Sequence, residues 1–465
     1  MNLLLLKSPK ELSPFTYLSL NEWYIHFNIT ANLLDLDNEN QIVAGLAKSW
    51  TVEDEGRKYK FKLDTSRRWS DGSPITAHQI LGSLTHEAKH KNAKFLPKIL
   101  RPGPIDKAIY LEGPDILVFR LHTASDKFLY HLARPEFGIL DADSFRQTDF
   151  FSKTTRTSGN YKIEELTDTT AVLVPNPFNP SVSANNPQRV VFSVVSDHAK
   201  QKQLISEGKV DFFEVQSDEM LRVGTQSGHY QVIEGGLDNL ATLQARKVTP
   251  AQLHALQVLN HFLNRETFAK GSKRVAGRMV AISEVPVSEH SPRLTIEEAK
   301  LQLGKPVEMT LTLSDEATAD QAADAKLIKS EAEKIGIHIT IHSSPAGFRK
   351  QWEQEEYGLT MTRMGVYAYD EVELLNGYFC EGFRPYLSLS RLVCKEINEA
   401  ARPGTAMAKR KSLLRQAYEN LNKSGYILSL YHFPRRFLIH NKWDLRNYNN
   451  LLPFPIFNHF YVRKG

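Results

Sequence analysis

The chain predicts an α/β fold in more than one domain, on three observations. Its 465 residues exceed what one core usually organises and correspond to roughly three domains by length. Residues 189–195, Arg-Val-Val-Phe-Ser-Val-Val, form a near-continuous apolar run of the kind buried on both faces of a sheet. Residues 309–313, a helical stretch ending Glu333-Lys334-Ile335-Gly336, and the alternating residues 337–341 then read as strand, helix, parallel strand. That succession is a right-handed crossover unit.

The elements follow in order. Residues 3–6, four leucines, read as a buried first strand. Tyr59, Phe61 and Leu63 alternate with Lys58, Lys60 and Lys62, the period of a half-buried strand. Trp69-Ser70-Asp71-Gly72-Ser73-Pro74 is a tight turn, and Thr76 stands where it caps a helix beginning near Ala77. That helix should bury Ala77, Leu81, Leu84 and Ala88. Residues 116–121 follow the Gly113-Pro114-Asp115 turn as a buried strand, and residues 171–174 form another that runs into Pro175-Asn176-Pro177. After the apolar run at 189–195, a helix ends at Glu207-Gly208, where glycine supplies the left-handed cap. Pro250 opens an apolar helix with Leu253, Leu256, Leu259, Phe262 and Leu263. A helix over 410–421 leads to a return strand at 427–431.

These segments also carry a resemblance. Leu46-Ala47-Lys48-Ser49-Trp50, a strand, then Asp71-Gly72-Ser73-Pro74-Ile75-Thr76-Ala77 is similar to the L-A-x-x-W … D-G-x-P-x-T-A-x-D-V signature of the extracellular solute-binding proteins of family 5. That family includes the dipeptide-, oligopeptide- and nickel-binding proteins of ABC importers. Thr157 to Ile163, Asn176 to Asn179, Gly208 to Asp211, and Asn264-Arg265-Glu266 at the end of the Pro250 helix resemble further family motifs in the same order. The resemblance implies a two-lobed, periplasmic-binding-protein-like fold of type II with an enlarged N-terminal lobe and a ligand cleft between the lobes. Lobe I would comprise residues 1–243 and 430–465, with an inserted subdomain at about 50–150; lobe II would comprise residues 244–429. It also implies hinge closure on a small ligand, peptide or peptide-like, for delivery to a membrane permease, with a nickel or other metal chelate as an alternative cargo. The chain is expected to act as a monomer, without catalysis and without a cofactor.

Charge and composition narrow the partners. A net charge of +5 over this length is small and undivided by basic tracts, so nucleic acid is not expected as a partner. No apolar run is long enough to cross a membrane as a helix, and residues 3–6 are too few for a signal-peptide core. Periplasmic location with the signal replaced by Met1-Asn2 is the expectation; a cytoplasmic ligand-sensing domain of the same fold is the alternative. Cys380 and Cys394 are too far apart for a C-x-x-C pair. In an exported protein they would close a disulfide; two independent buried thiols fit the sequence equally.

Some motifs look catalytic. His86-Glu87-Ala88-Lys89-His90 matches H-E-x-x-H, which requires both histidines on one helical face in a cleft with a third ligand. At about 100° per residue, His86 lies about 140° from Leu81 and His90 about 180°, so both should point away from the core; a zinc hydrolase through this pair is the enzyme alternative. His254 and His261 share a helix face and offer a metal pair. Nothing assembles a nucleophile with an oriented base.

The ligand residues come from position. Residues 363–375, from Arg363 to Leu375, lie where peptide-binding relatives carry W-x-A-D-Y-x-[DE]-P-x-x-F-L. The first acidic residue of that motif, which the family pairs with a peptide's α-amino group, is Tyr367 here, and Asp370 falls on the second. Tyr367 carries no charge at neutral pH and does not replace a carboxylate. Tyr367, Tyr369 and Arg363 would favour a ligand with π-surface or negative charge, with Asp370 as the remaining amine anchor. Trp23, Phe137, Asp238 and Asn239 complete the expected ligand-binding set by their relative positions, and no metal-binding residue is expected among them.

Overall fold

Alternation predicts which side of the strand Lys58–Leu63 is buried, and the computed structural model bears it out: Tyr59, Phe61 and Leu63 are buried, Lys62 is exposed, and Lys58 and Lys60 are half-buried. The structure describes residues 1–5, 8–9, 20–37, 41–90, 96–122, 124–125, 128–134, 137–141, 151–152, 154–179, 181–215, 217–235, 239–269, 274–277, 293–314, 317–343, 358–365, 372, 375, 379–380, 387–402, 405–446 and 456–463. Contacts divide the chain into two units. The first is Met1–Phe213, Val223–Val232 and Leu438–Gly465; the second is Glu214–Arg222 and Ile233–Phe437.

In the first unit, Lys58–Leu63 is an inner strand of an antiparallel four-stranded sheet, ordered Ala47–Glu53, Lys58–Leu63, Ile116–Arg120, Ile109–Leu111. Its core runs from Leu33 to Ile139 and includes Phe61, Trp69, Leu84, Phe119 and Phe128. Thr76 caps the helix Ala77–Lys89 as expected: its Oγ1 accepts the Gln79 amide at 3.2 Å, and Gln79 Oε1 accepts the Thr76 amide at 3.0 Å. The same Oε1 accepts Trp69 Nε1 at 3.1 Å, so the cap also orients the buried tryptophan. Asp71 Oδ1 accepts the Ser73 amide at 2.9 Å, and Gly72 adopts φ +88° beneath the Phe178 ring, which a Cβ there would strike. The helix buries Ala77, Ile80, Ser83 and Leu84, while Leu81 and Ala88 are only partly buried. The expected stripe is therefore rotated toward Ile80, because Ser83 turns inward, where its Oγ accepts the Leu140 amide at 2.9 Å.

A seven-stranded sheet, most of whose residues fall in this unit, has the order Tyr230–Glu234, Arg436–His440, Phe212–Glu214, Asn2–Leu5, Val190–Val194, Thr170–Pro175, Tyr161–Leu166. Asn2–Leu5 runs parallel to Val190–Val194, with Leu3 opposite Phe192. Val190 and Phe192 are buried, but Val191, Ser193 and Val194 are only half-buried. The strand is thus not buried on both faces as expected; it joins the antiparallel Thr170–Pro175 arm, where one face has lighter cover. The helix His198–Ser206 is capped by Asp197 and followed by Gly208 at φ +66°.

The second unit is built on a six-stranded sheet: Val275–Ala276, Ile427–Phe433, Asn239–Ala245, Leu359–Gly365, Val307–Leu313, Ile337–Ser343. The last two are parallel, Val307 opposite Ile337, and are linked by the helix Ala319–Glu333, the crossover read from the sequence. The helix Pro250–Phe262 buries Leu256 and Leu259, which join Leu311, Ile328, Ile337 and Leu428 in one core. A second core gathers Phe379, Val393, Ile397, Leu414 and Leu421 along the helices Leu387–Ala400 and Met407–Lys423. There Cys380 and Cys394 form a disulfide, with Cα atoms 5.5 Å apart. Residues 243 and 430, taken from sequence as lobe limits, fall inside the strands Asn239–Ala245 and Ile427–Phe433. These strands share a ladder, so hydrogen bonding keeps both in the second unit.

Candidate functional site

Strand order in the second unit marks one place as special. From Leu313 the chain passes through the helix Ala319–Glu333 to Ile337–Ser343 on one side; from Gly365 it continues to Ile427–Phe433 on the other. The connections diverge between the parallel strands Val307–Leu313 and Leu359–Gly365, which makes their carboxyl ends a topological switch point. Crevices outside such ends are where open α/β sheets bind ligands. The antiparallel register brings Asn239, the first residue of its strand, opposite both Gly365 and Phe433, and Ala241 opposite Arg363. Two expected ligand residues, Asn239 and Arg363, thus lie at the same end of one sheet.

Charged side chains converge at this end. Arg363 donates through Nη2 to Thr318 Oγ1 at 3.2 Å, stands 4.0 Å from Asp320, and lies with its Cζ 4.9 Å over the Phe433 ring. Arg274, whose side chain is 9% exposed, reaches Asp320 at 2.8 Å, Asp218 at 3.5 Å and Asp324 at 3.8 Å. Its Cζ lies 4.6 Å over Tyr431, whose hydroxyl donates to Asp324 at 2.6 Å. Arg436 pairs with Asp218 at 2.7 Å. Arg274, Arg363 and Arg436 therefore balance Asp218, Asp320 and Asp324. Burial pushes the Asp324 carboxyl above its usual range, and the Tyr431 hydrogen bond and Arg274 offset this only in part. Burial, with Asp324 beside it, also drives the Tyr431 phenol well up, so it stays a neutral donor.

Arg363 is thus already engaged by Thr318, Asp320 and Phe433, so its charge is partly spent within the protein. Asn239 is buried, 6% exposed, at the strand's start. Trp23 is half-buried on the helix Leu20–Ile29 of the first unit. Phe137 is 3% exposed and belongs to the first unit's apolar core, so its ring serves packing. Asp238, Tyr367, Tyr369 and Asp370 lie outside the described residues.

The metal readings fare differently from their motifs. His86 and His90 have ring centroids 6.3 Å apart, but His90 has left the helix, at φ −66° and ψ 136°. His86 does not point into solvent as expected: it is half-buried, with Nε2 shielded, because the buried face is rotated toward Ser83. His254 bonds the Gln302 carbonyl at 2.9 Å and His261 the Gln257 carbonyl at 2.8 Å. Seven residues of helix separate their backbones by about 10 Å, too far for one ion to hold both closely. Among the described residues, no three His, Cys, Asp or Glu side chains are grouped to hold a metal ion. Sequence reasoning missed Arg274, Asp218, Asp320 and Asp324; the only local signal was an aspartate in the first turn of each of the two helices.

Residues 41–250 match the family described as bacterial extracellular solute-binding proteins, family 5 middle. The chain is 26% identical over 245 residues to the probable D,D-dipeptide-binding periplasmic protein of Escherichia coli K12, a stretch covering 49% of this chain and 45% of that protein. The chain thus spans less than half the length of that curated relative. The structure is similar to that of the periplasmic binding protein DppA from Helicobacter pylori in complex with the peptide STSA, with a TM-score of 0.81, 16% identity, and 100% of this chain and 98% of that one covered. It is similar also to NikA from Staphylococcus aureus in complex with Ni(L-His)2, with a TM-score of 0.80, 14% identity, and 100% and 99% covered. At these identities the likeness is one of fold, the two-lobed fold of the periplasmic binding proteins.

Proposed function

Taking residues 41–250 as a segment of the bacterial extracellular solute-binding proteins, family 5, we propose that this protein captures a small peptide or peptide-like ligand by hinge closure. It then delivers the ligand to the permease of an ABC importer, acting in the periplasm as a monomer without catalysis. The observation that carries this reading is the family match, which contains the Asp71-to-Ala77 turn and cap on which the resemblance first rested. The switch point at Gly365 supports it, since it gives the second unit a place for a ligand beside Asn239 and Arg363. Peptide leads as the ligand class because the curated relative is a probable D,D-dipeptide-binding protein and one structural neighbour holds the peptide STSA.

Asp370 is the proposed amine anchor, and Tyr367, Tyr369, Asp238, Asn239 and Trp23 are the other proposed ligand-binding residues. A carboxylate offsets its desolvation by pairing with an ammonium ion. Arg363, balanced by Asp320, contributes a stacked, partly neutralised cation and not a free charge. The two contact units serve as the lobes.

The test is native mass spectrometry of freshly purified protein against its denatured mass, followed by calorimetry with the released ligand. Extra mass resolving into short peptides is expected, and Asp370→Asn should then weaken binding more than about tenfold, the loss of one charged pair. A defined metal-chelate mass would move the protein to that cargo. Absence of both an adduct and peptide binding would sink the transport reading and favour a ligand sensor.

A further inference from the structure

Glu214–Arg222 sits in the chain between two stretches of the first unit, yet its contacts assign it to the second. Ion pairs join the backbone bond from the Val215 amide to the Arg436 carbonyl, 2.8 Å, in that attachment. Arg435 donates to Glu214 Oε1 through Nε at 3.0 Å and Nη2 at 2.7 Å. Asp218 takes Arg436 at 2.7 Å and Arg274 at 3.5 Å, and its amide donates to Asp320 Oδ2 at 3.3 Å. Its buried apolar side chains among the described residues are Met220, 1% exposed, and Val215, 9% exposed.

We propose that residues 214–222 form a strap fastened to the second unit by an ion-pair node, and that Arg274 is the residue that keeps it fastened. Arg274 touches three carboxylates of the node, Asp218, Asp320 and Asp324. Its side chain is nearly buried, so water screens these pairs weakly. Without Arg274, Asp218 keeps Arg436, Asp320 keeps Arg363 and Asp324 keeps the Tyr431 hydroxyl, so three carboxylates share two guanidinium groups and the excess negative charge displaces the one on the least rigidly held segment. Asp320 and Asp324 belong to a fifteen-residue helix held in the core by Ala325, Ile328 and Ala332. Asp218 opens the helix Asp218–Gln226, which passes out of the second unit after Arg222, so it is tied to that unit by its first turn alone. The strap therefore yields first, pivoting on the Glu214–Arg435 pair. Asp320 also stands beside Arg363, so the strap's fastening and the sheet's switch point share one carboxylate.

Hydrogen-exchange mass spectrometry on the full chain tests this without any ligand, independently of the transport reading. In Arg274→Gln, amides of residues 217–222 are expected to exchange at least tenfold faster, while those of the helix Ala77–Lys89 keep wild-type rates. Arg274→Lys should restore part of the protection, since a point charge replaces the planar fork. Asp218→Asn, which leaves Arg274 on Asp320 and Asp324, should free the same amides and carries the test if Arg274→Gln does not fold. Wild-type exchange over 217–222 in the folded variants would overturn the proposal, leaving Met220 and Val215 as the true anchors. Equal acceleration across both units would overturn it too, by making Arg274 a residue of global stability.

Discussion

The subdomain around the helix Ala77–Lys89 and the carboxyl end of the second unit's sheet both fix distant segments of chain, by opposite means. In the subdomain, Trp69, Phe61, Phe119 and Phe128 are fully buried, and pairs such as Lys60 between Glu53 and Glu112 stay partly exposed. At the sheet end, Arg274, Asp320 and Asp324 are themselves largely buried, and order depends on each charge finding its partner. Apolar burial is non-directional and survives small shifts; buried ion pairs stabilise only while complete, and losing one member is strongly destabilising. The first region should therefore fail gradually and the second by local release.

The largest expected effect tests the apolar half of this contrast. Trp69→Ala removes a fully buried ring and its hydrogen bond to Gln79, and should lower unfolding stability by about 3–5 kcal/mol in urea titration. A loss below about 1 kcal/mol would mean that the subdomain does not depend on its core. Reducing the Cys380–Cys394 disulfide, fourteen residues apart in sequence, should cost about 3 kcal/mol through the entropy of the opened loop. An unchanged midpoint under reductant would show that the helices Leu387–Ala400 and Met407–Lys423 are held by Phe379, Ile397 and Leu421 alone.

The smallest effect sharpens the comparison by its sign. Burial tends to raise the Asp71 carboxyl, but the Ser73 hydroxyl and amide, together with Arg156, outweigh it and hold it below the usual 3.8. The folded state then releases that proton at lower pH than the unfolded chain does, so Asp71 contributes stability above pH 3.8 that disappears as pH falls. Asp324 is raised above 3.8, so the folded state keeps its proton longer and stability is withdrawn as pH rises from 3.8 through the raised value. Unfolding measured between about pH 2.5 and 6 should lose the first slope in Asp71→Asn and the second in Asp324→Asn. Slopes of the same sign would erase the distinction between the two regions.

The same contrast separates what could be read in advance from what could not. Thr76 with Gln79, Pro250 opening its helix, and Gly208 after Ser206 were legible because each acts on backbone within a few residues. The crossover from Val307–Leu313 to Ile337–Ser343 was legible because alternation and helical period are local patterns. The rotated face of the helix Ala77–Lys89 was not, since Ser83 turns inward for an amide fifty-seven residues away. Of the expected ligand residues, Asn239 and Arg363 meet at one sheet end, whereas Phe137, chosen by position, lies in a core.

By itself, then, the sequence determined the alternation of strands and helices, their caps and turns, and the resemblance that led to the family, because these depend on neighbours along the chain. Only the tertiary structure decided that residues 214–222 join the second unit, that Arg363 is balanced by Asp320, and that Cys380 meets Cys394. Those outcomes depend on which charges and thiols come within a few ångströms of each other across long separations in sequence. Coulombic and covalent pairing act through space, and no periodicity along the chain records them.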